Sequence, residues 1–272
     1  MFEFLKKRRR DRIRSQPFPL EWRKVLLRLY PLFDRLSPGD RRELEGHIQI
    51  FLAEKRFEGC GGQEITDEVR VLVAAQACLL LLHRDTDYYP GLRTVLVYPS
   101  TYVAKTHWRE EEEMTDRRSR MRLGESWHTG AVVLAWDAAL AGASSLTDGQ
   151  NVVLHEFAHQ LDQENGMADG FPPLGGSGFG ERYGRYAAWA RILGGEFRQL
   201  NSALEQNLET VLGDYGAKNP AEFFAVATEC FFEKPRQLQE QHPDLYAKLK
   251  EFYRQDPVQY VPVAPLNNEA AT

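Results

Sequence analysis

Hydrophobic and polar positions follow helical spacing through the first part of the chain. Apolar residues recur every three or four positions in 20–30, and the sequence Ser-Pro-Gly-Asp at 37–40 opens a second periodic segment that runs to about residue 56. The third segment, 66–83, is apolar on several sides, which is typical of a buried helix, and Thr66 is placed to cap it. We therefore predict three helices here.

The pattern then changes to short runs of β-branched and aromatic residues. The runs TVLVY at 94–98 and AVVLAW at 131–136 predict two strands. Helical spacing returns from residue 151 and is interrupted by a glycine- and proline-rich loop at 166–180. The order of elements predicts an α+β fold with a small sheet among helices. The later predicted helices are 181–200, 220–232 and 243–253.

The chain is predicted to form one domain between two short terminal segments. Residues 1–16 contain the basic run KKRRRDRIR, which predicts a flexible head, and residues 263–272 form a flexible tail. The domain, 17–262, is expected to be helical to about residue 90 and to contain the catalytic part from about residue 91. The charged segment 109–122 predicts a solvated loop or hairpin between the two strands.

Composition excludes several classes of protein. With 43% hydrophobic residues and a formal net charge of -5 in 272 residues, the chain is expected to fold, and its charge gives no global attraction to nucleic acid. We therefore expect no direct nucleic-acid binding, since a single basic run in an acidic protein is usually a solvated terminus. Cys60, Cys78 and Cys230 form no CxxC pair, so neither a disulfide framework nor a cysteine-rich zinc site is indicated.

Neither a membrane span nor a signal peptide is predicted. The longest apolar run, 71–82, is shorter than the roughly 18 residues that a membrane helix needs. Prolines and charged residues interrupt the segment that follows the basic run, so the hydrophobic part of a signal peptide is missing. We expect a cytoplasmic protein without membrane contact.

The strongest functional signal is a HExxH pattern formed by His155, Glu156 and His159 within VVLHEFAHQL. On a helix, residues four apart lie one turn above each other, so both imidazoles can bind one metal ion while Glu156 approaches a water on that ion. The alternative is two surface histidines beside an acid. The apolar residues of the same helix weigh against it, because an unpaired glutamate is costly in such surroundings.

A catalytic zinc takes three protein ligands and keeps one position open. The metzincin pattern is excluded, because Asp162 and Asn165 stand where it requires glycine and histidine. The apolar segment 220–232 contains Glu222 and Glu229, which are two turns apart and share a face. Either can ligate by this reasoning, and one ligand with one supporting carboxylate is favoured over two ligands. Alternatively, Glu222 only interacts with the positive end of the helix dipole.

Two further residues are candidates for supporting roles. Tyr215 precedes Glu222 by seven residues, and its phenol could donate a hydrogen bond to a developing oxyanion or simply pack. Asp162 could hydrogen-bond a ligand imidazole and fix its tautomer, or it could be solvated. The other histidines are assigned structural or surface roles: His47, His83, His107, His128 and His242.

Four segments together resemble the Mlc titration factor A family of bacterial zinc peptidases. They are VVLHEFAHQLDQENG, DYGAKNPAEFFAVATECFFEKP, GESWHTGAVVLAWD and HPDLYAKLKEFYRQDP, and the match extends from about residue 22 to 257. The resemblance implies a zincin core similar to the catalytic domain of anthrax lethal factor. It also implies one zinc ion per chain held by His155, His159 and Glu222. Glu156 would be the general base, and Tyr215 would stabilise the oxyanion.

The family resemblance further implies aminopeptidase-type activity on small substrates, and the named member binds the glucose repressor Mlc. We therefore expect a zinc-dependent peptidase with a peptide substrate and a regulatory role through an Mlc-like transcriptional repressor. The predicted strand 131–136 could bind the peptide by strand addition. The alternative, from a different class, is a regulatory binding protein that sequesters a transcription factor with little or no hydrolysis.

Overall fold

The computed structural model describes residues 2–100, 130–176 and 178–261, and most of them are helical. The first group of helices is α1 (Phe2–Arg14), α2 (Leu20–Leu29), α3 (Pro31–Arg35), α4 (Pro38–Glu54) and α5 (Asp67–Leu79). The second group is α6 (Trp136–Ser144), α7 (Val152–Asp162), α8 (Phe179–Glu205), α9 (Pro220–Glu233), α10 (Pro235–Gln241) and α11 (Pro243–Tyr253). Short 3-10 turns occupy Gln163–Asn165, Tyr215–Ala217 and Pro257–Gln259.

A small parallel sheet lies among these helices. Its strands are β1 (Arg56–Gly59), β2 (Thr94–Tyr98) and β3 (Ala131–Ala135), in the spatial order β1-β2-β3. Phe57 of β1 is paired with Val95, which is paired in turn with Val132 of β3. A mostly helical chain with one small sheet confirms the α+β prediction.

Side-chain caps explain where the central helices begin. Ser37 Oγ accepts a hydrogen bond from the Asp40 N–H at the start of α4, and Thr66 Oγ1 accepts from the Val69 N–H at the start of α5, as predicted. Each cap satisfies a backbone donor that has no partner inside the helix. Helix α5 is then buried along almost its whole length, so it forms the middle of the core.

Helix α7 is held in the core on the side opposite its histidines. It packs there against α5 and β3, whereas α9 lies against the face that carries the histidines. Phe157 is fully buried, and its ring lies 5.7 Å from that of Phe51 and 4.9 Å from that of Tyr89, measured between centroids. Because these contacts fix the back of α7, the positions of His155 and Glu156 on its other face are fixed too.

The basic head contains a helix that packs on the domain, which differs from the flexible segment that was predicted. Helix α1 packs against α4, and the Arg10 guanidinium makes two hydrogen bonds to the Glu54 carboxylate (2.7 and 2.8 Å) and one to Asp87 Oδ1 (2.7 Å). The same guanidinium lies over the Tyr88 ring, with 4.5 Å between its central carbon and the ring centroid. The run of basic residues suggested a flexible terminus. The partners of Arg10 lie 44 and 77 residues away, so the run itself gives no sign of them.

Several element boundaries differ from the predicted ones. The second predicted strand ends at Ala135, because Trp136 begins α6, and the helix predicted for 66–83 ends at Leu79. Strand β1 was not predicted, since four residues with a single large apolar side chain give little pattern. The predictions for the loop 109–122, His107, His128 and the tail 263–272 lie outside the described residues.

Within the described ranges, none of the helices combines the length and hydropathy required to cross a membrane.

Candidate metal centre

The candidate metal centre is built on the first two turns of α7. Asn151 caps this helix: its Oδ1 accepts hydrogen bonds from the N–H groups of Val153 and Leu154 at 3.1 and 3.0 Å. Its Nδ2 donates to Gln76 Oε1 of the buried helix α5. The start of α7 is thereby fixed to the core, and the imidazoles of His155 and His159 follow one turn apart with ring centroids 4.9 Å from each other.

Helix α9 brings a carboxylate to both imidazoles. Glu222 Oε2 lies 3.0 Å from His155 Nε2 and 3.4 Å from His159 Nε2. Glu222 is in the first turn of α9, where Asn219 Oδ1 accepts a hydrogen bond from the Glu222 N–H and Pro220 occupies the first helical position. The structure thus brings together the three predicted ligands, with one candidate ligand atom from each within 4.8 Å of the other two.

These three atoms fit a zinc ion by chemistry and spacing. Two imidazole nitrogens and a carboxylate oxygen are a common catalytic zinc set, and ligand atoms about 2.0–2.2 Å from a tetrahedral ion lie about 3.3–3.5 Å from one another. The distances of 3.0 and 3.4 Å to Glu222 Oε2 are close to that separation.

Glu229 supports His155 from behind. His155 Nδ1 donates to Glu229 Oε1 at 2.7 Å, while Glu229 Oε2 accepts from the backbone N–H of Asn151 at 2.6 Å. A carboxylate on the second ring nitrogen fixes the orientation of a ligand histidine and makes it a stronger ligand. Glu222 thus faces Nε2 of His155, and Glu229 faces Nδ1 of the same ring.

The local charges keep a proton on His155 when no cation is present. Burial acts to lower the pKa of His155, but hydrogen bonds to Glu222 and Glu229 outweigh burial and raise it to about 10. For Glu222, burial acts to raise the pKa, and the two histidines outweigh it, so this pKa is held far below the usual carboxyl range. Glu222 is thus ionised at neutral pH. A metal ion that binds to His155 Nε2 would have to displace the proton held there.

Glu156 lies beside the ligands on the wall of a cleft of about 610 Å³, which His155, Tyr215 and Glu229 also line. Burial raises the pKa of Glu156 to about 8; His155 opposes this shift, and the negative charges of Glu222 and Glu229 add to it. A carboxyl group with a pKa near neutrality suits a general base that later returns its proton.

Tyr215 reaches the same cleft from the 3-10 turn that precedes α9. Its ring centroid is 5.7 Å from that of His155, and its side chain is 46% exposed. Lys218 Nζ lies 3.4 Å from the centroid of the Tyr215 ring, a cation–π contact that orients the phenol. The structure therefore places Tyr215 next to the ligands with its ring open to the cleft.

Asp162 is completely buried and supports a loop, so of the two alternatives for it, a hydrogen bond to a ligand imidazole or a solvated side chain, the second does not describe it. Its Oδ2 accepts a hydrogen bond from the Gly170 N–H at 2.8 Å. Trp189 Nε1 donates to the carbonyl of the same glycine at 2.8 Å. Asp162 thus connects the end of α7 to the loop 166–176.

Sequence reasoning missed two residues that position this site. Asn151 was not singled out, although an asparagine directly before an apolar periodic segment is a helix-start signal. Glu233 was also missed: its Oε2 accepts from the Gln150 N–H at 2.9 Å, next to the bond from Glu229 to Asn151. No local pattern could have identified Glu233, because its partner is 83 residues away in sequence.

A second group with metal-ligand chemistry consists of Asp40, Glu43 and His83. Its members bind one another: His83 Nε2 is 2.7 Å from Asp40 Oδ1, and the His83 N–H donates to Glu43 Oε1. His83 Nδ1 lies 2.9 Å from the carbonyl of Arg254, close to the end of α11. This network connects distant parts of the chain and lies apart from the cleft.

Comparison with known proteins assigns the family. Residues 4–254 match the model of the glucose-regulated metallo-peptidase M90 family. The chain is 41% identical to an uncharacterized protein of Synechocystis over 251 residues, covering 92% of this chain and 89% of the relative. It is 30% identical over 256 residues to the Mlc titration factor A of Klebsiella pneumoniae strain 342, covering 92% and 91% of the two chains. The Mlc titration factor A of Escherichia coli O127:H6 is 29% identical over 244 residues, with 88% of each chain covered. The chain belongs to the glucose-regulated metallo-peptidase family M90.

Proposed function

We propose that this protein is a zinc-dependent peptidase of aminopeptidase type. The observation that supports this most directly is the convergence of His155 Nε2, His159 Nε2 and Glu222 Oε2 beside Glu156 in an open cleft. Membership of a metallo-peptidase family agrees with that chemistry.

His155, His159 and Glu222 would hold the ion. When bound there, zinc supplies positive charge that polarises the scissile carbonyl and lowers the pKa of a water molecule. Glu156 takes a proton from the attacking water and passes it to the leaving amine. The Tyr215 hydroxyl donates a hydrogen bond to the carbonyl oxygen as negative charge develops on it.

The charge of the cleft supports a preference for peptide amino termini. Among the described residues that line the cleft, Asp148 and Asp214 are acidic, as are Glu156 and Glu229, and Lys234 is basic. A cleft with an excess of carboxylates attracts the ammonium group of a peptide amino terminus and disfavours a carboxyl terminus. We therefore propose that the protein removes amino-terminal residues from small peptides.

The test is hydrolysis of a panel of amino-terminal chromogenic peptides and internally quenched peptides by the zinc-loaded protein. We expect cleavage of the first group, loss of activity on chelation, and a fall of about 10²–10⁴-fold in Glu156→Gln at equal zinc content. Glu205→Gln, on the exposed side of α8, is the matched control and should retain full activity. Turnover of Glu156→Gln within a few-fold of wild type would refute the general-base role.

A second candidate function is capture of a transcriptional repressor. It is favoured by the identity of 30% to a protein named Mlc titration factor A across nine-tenths of both chains. The two functions can coexist, and the same variant separates them. If capture is independent of hydrolysis, Glu156→Gln binds an immobilised Mlc-like repressor as tightly as wild type while its peptidase activity is lost.

A further inference from the structure

One cavity outside the metal centre is bordered by two charged atoms that are buried without a hydrogen-bond partner. They are Arg84 Nη1 and Glu164 Oε1, and the cavity, which has a volume of about 380 Å³, lies between the loop 166–176, α8 and α11. Arg84 is partly buried, its Nη1 is shielded from solvent, and its central guanidinium carbon lies 4.0 Å from the centroid of the Phe252 ring. A buried polar atom without a hydrogen bond is costly, so this cavity presents one unsatisfied donor and one unsatisfied acceptor.

Among the described residues around this cavity, cations outnumber carboxylates. Four basic side chains line it, and one of the three acidic ones, Glu251, is already paired with Lys248. Burial raises the pKa of Glu164 to about 6, and the positive charge of Arg84 opposes this shift. The cavity wall therefore has a net positive character. The basic residues are Arg84, Arg185, Lys248 and Arg254, and the acidic ones are Asp85, Glu164 and Glu251.

The existing contacts of these cations leave donors free for a ligand. Arg185 donates from Nη1 to the Leu174 carbonyl and from Nη2 to Glu181. Arg254 donates from Nη1 to the His83 carbonyl. A guanidinium has five N–H donors in a planar fork, an arrangement that matches carboxylate and phosphate groups.

The size of the cavity and its aromatic wall limit the class of ligand. A volume of about 380 Å³ is near the lower end of small-molecule pockets, about 300–1,000 Å³, and leaves no room for a folded peptide. Trp189 and Phe252, whose ring centroids are 5.3 Å apart, give the wall an apolar surface. The ligand is therefore small and organic, with a compact anionic group.

We propose that this cavity binds a small organic anion that has a phosphate or carboxylate group next to a hydroxyl group. Arg84 Nη1 donates to the anionic group, with Arg185 as a second cation, and Glu164 Oε1 accepts from the hydroxyl. Arg84 and Glu164 also border a neighbouring cavity next to α1.

The position of the cavity connects it physically to the metal centre. Its wall includes Leu174 and Gly175 of the loop 166–176, and Gly170 of the same loop is bound to Asp162 at the end of α7. A ligand in the cavity therefore contacts a segment that is attached to the helix of His155 and His159. The binding proposal does not depend on peptidase activity.

The test is titration calorimetry on the full-length, zinc-loaded protein with three probes that share one skeleton: glycerol 3-phosphate, glycerate and glycerol. We expect saturable binding of at least one of the two anions and none of glycerol. The phosphate and carboxylate probes distinguish the two sources of negative charge. Arg185→Gln should weaken anion binding at least tenfold, because it removes a cation from the wall without opening the core.

Two further variants complete the experiment. Arg84→Lys keeps the positive charge but loses the planar guanidinium. We expect it to weaken anion binding at least as much as Arg185→Gln does, and its folding is checked by circular dichroism. Arg191→Gln, an exposed arginine on the same helix as Arg185, is the matched control and should bind like wild type. The proposal is overturned if wild type binds neither anion at millimolar concentration, or if Arg185→Gln and Arg191→Gln have equal affinities.

Discussion

Glu229 joins the beginning of α7 to the imidazole of His155 through the two oxygens of one carboxylate. Oε1 accepts from His155 Nδ1 at 2.7 Å, and Oε2 accepts from the Asn151 N–H at 2.6 Å. A movement of α9 relative to α7 would therefore shift the Asn151 backbone at the start of α7 and turn the His155 imidazole at the same time. The orientation of one ligand ring is thereby coupled to the packing of two helices.

Glu229→Gln is expected to weaken zinc binding and to lower the stability of the protein. An amide can accept at one of the two positions, but at the other it presents an N–H₂ group to a donor. We expect a loss of about 10–100-fold in zinc affinity, measured by competition with a chromogenic chelator. The free energy of unfolding of the metal-free protein should fall by about 1–3 kcal/mol in urea titrations. A folded variant with wild-type zinc affinity would show that this contact does not orient the ligand.

Tyr215→Phe tests the proposed stabilisation of the oxyanion. The ring stays in place beside His155 and under Lys218, because phenylalanine keeps both ring contacts. If the hydroxyl stabilises the developing charge, kcat falls about 10²–10³-fold while KM changes little. Tyr183→Phe, at an exposed tyrosine on α8, is the control. An equal, small effect of both substitutions would rule out this role for Tyr215.

The raised pKa of Glu233 leads us to expect that the protein becomes less stable as the pH rises. Burial, followed by the contact with Asp148, raises the pKa of Glu233 to about 9, whereas an unfolded chain has an ordinary glutamate pKa of about 4.3. Between these values the folded state holds a proton that the unfolded state has lost, so the free energy of unfolding decreases with rising pH. Glu233→Gln, which has no proton to lose, should escape this decrease.

The measurement is the urea midpoint of wild type and Glu233→Gln from about pH 5 to about pH 10. The stability of wild type relative to the variant should fall steadily up to about pH 9 and then level off. A difference that does not vary with pH would mean that Glu233 is ionised in the folded protein.

Gly170→Ala is expected to disturb the metal centre through steric contact with Pro220. Gly170 has a φ of +79°, and a Cβ atom there would lie 2.5 Å from the Pro220 carbonyl oxygen. Pro220 begins the helix that presents Glu222, so relief of this clash shifts a ligand. We expect lower zinc affinity and a loss of stability greater than the roughly 1–2 kcal/mol of left-handed backbone strain.

Gly166→Ala is the matched control for this substitution. Gly166 also has a positive φ, +91°, but a Cβ atom there meets nothing within 4 Å. It should show only the backbone strain, with zinc affinity unchanged. Equal zinc affinities of the two variants would show that the contact between Gly170 and Pro220 does not position Glu222.

The sequence was most informative where the relevant signal is local. Helical spacing was sufficient to identify α7, α9 and α11, and it predicted the bounds of α11 correctly, because these helices have strong apolar faces. The pairing of His155 with His159 follows from the same spacing. The presence of Glu222 and Glu229 on one face of α9 was also visible, since two helical turns separate them.

Long-range contacts could not be predicted in this way. Arg10 has partners 44 and 77 residues away, so its part in fixing α1 is absent from any local pattern. Periodicity alone could not distinguish Glu222 from Glu229. The difference is that Glu222 faces Nε2 of the His155 ring and Glu229 faces its Nδ1, and helical spacing does not determine this. The bond between Asp162 and Gly170 depends equally on the path of a loop.

The distance along the chain between the ligands has a consequence for protein synthesis. Glu222 follows His155 by 67 residues, and the Gln255 side chain pairs with the carbonyl of Leu79 across 176 residues. A nascent chain that ends before α9 offers a metal ion two histidines without their carboxylate and without the support of Glu229. If zinc binds at these three residues, tight metal capture has to wait until α9 has been synthesised, because only then is Glu222 available.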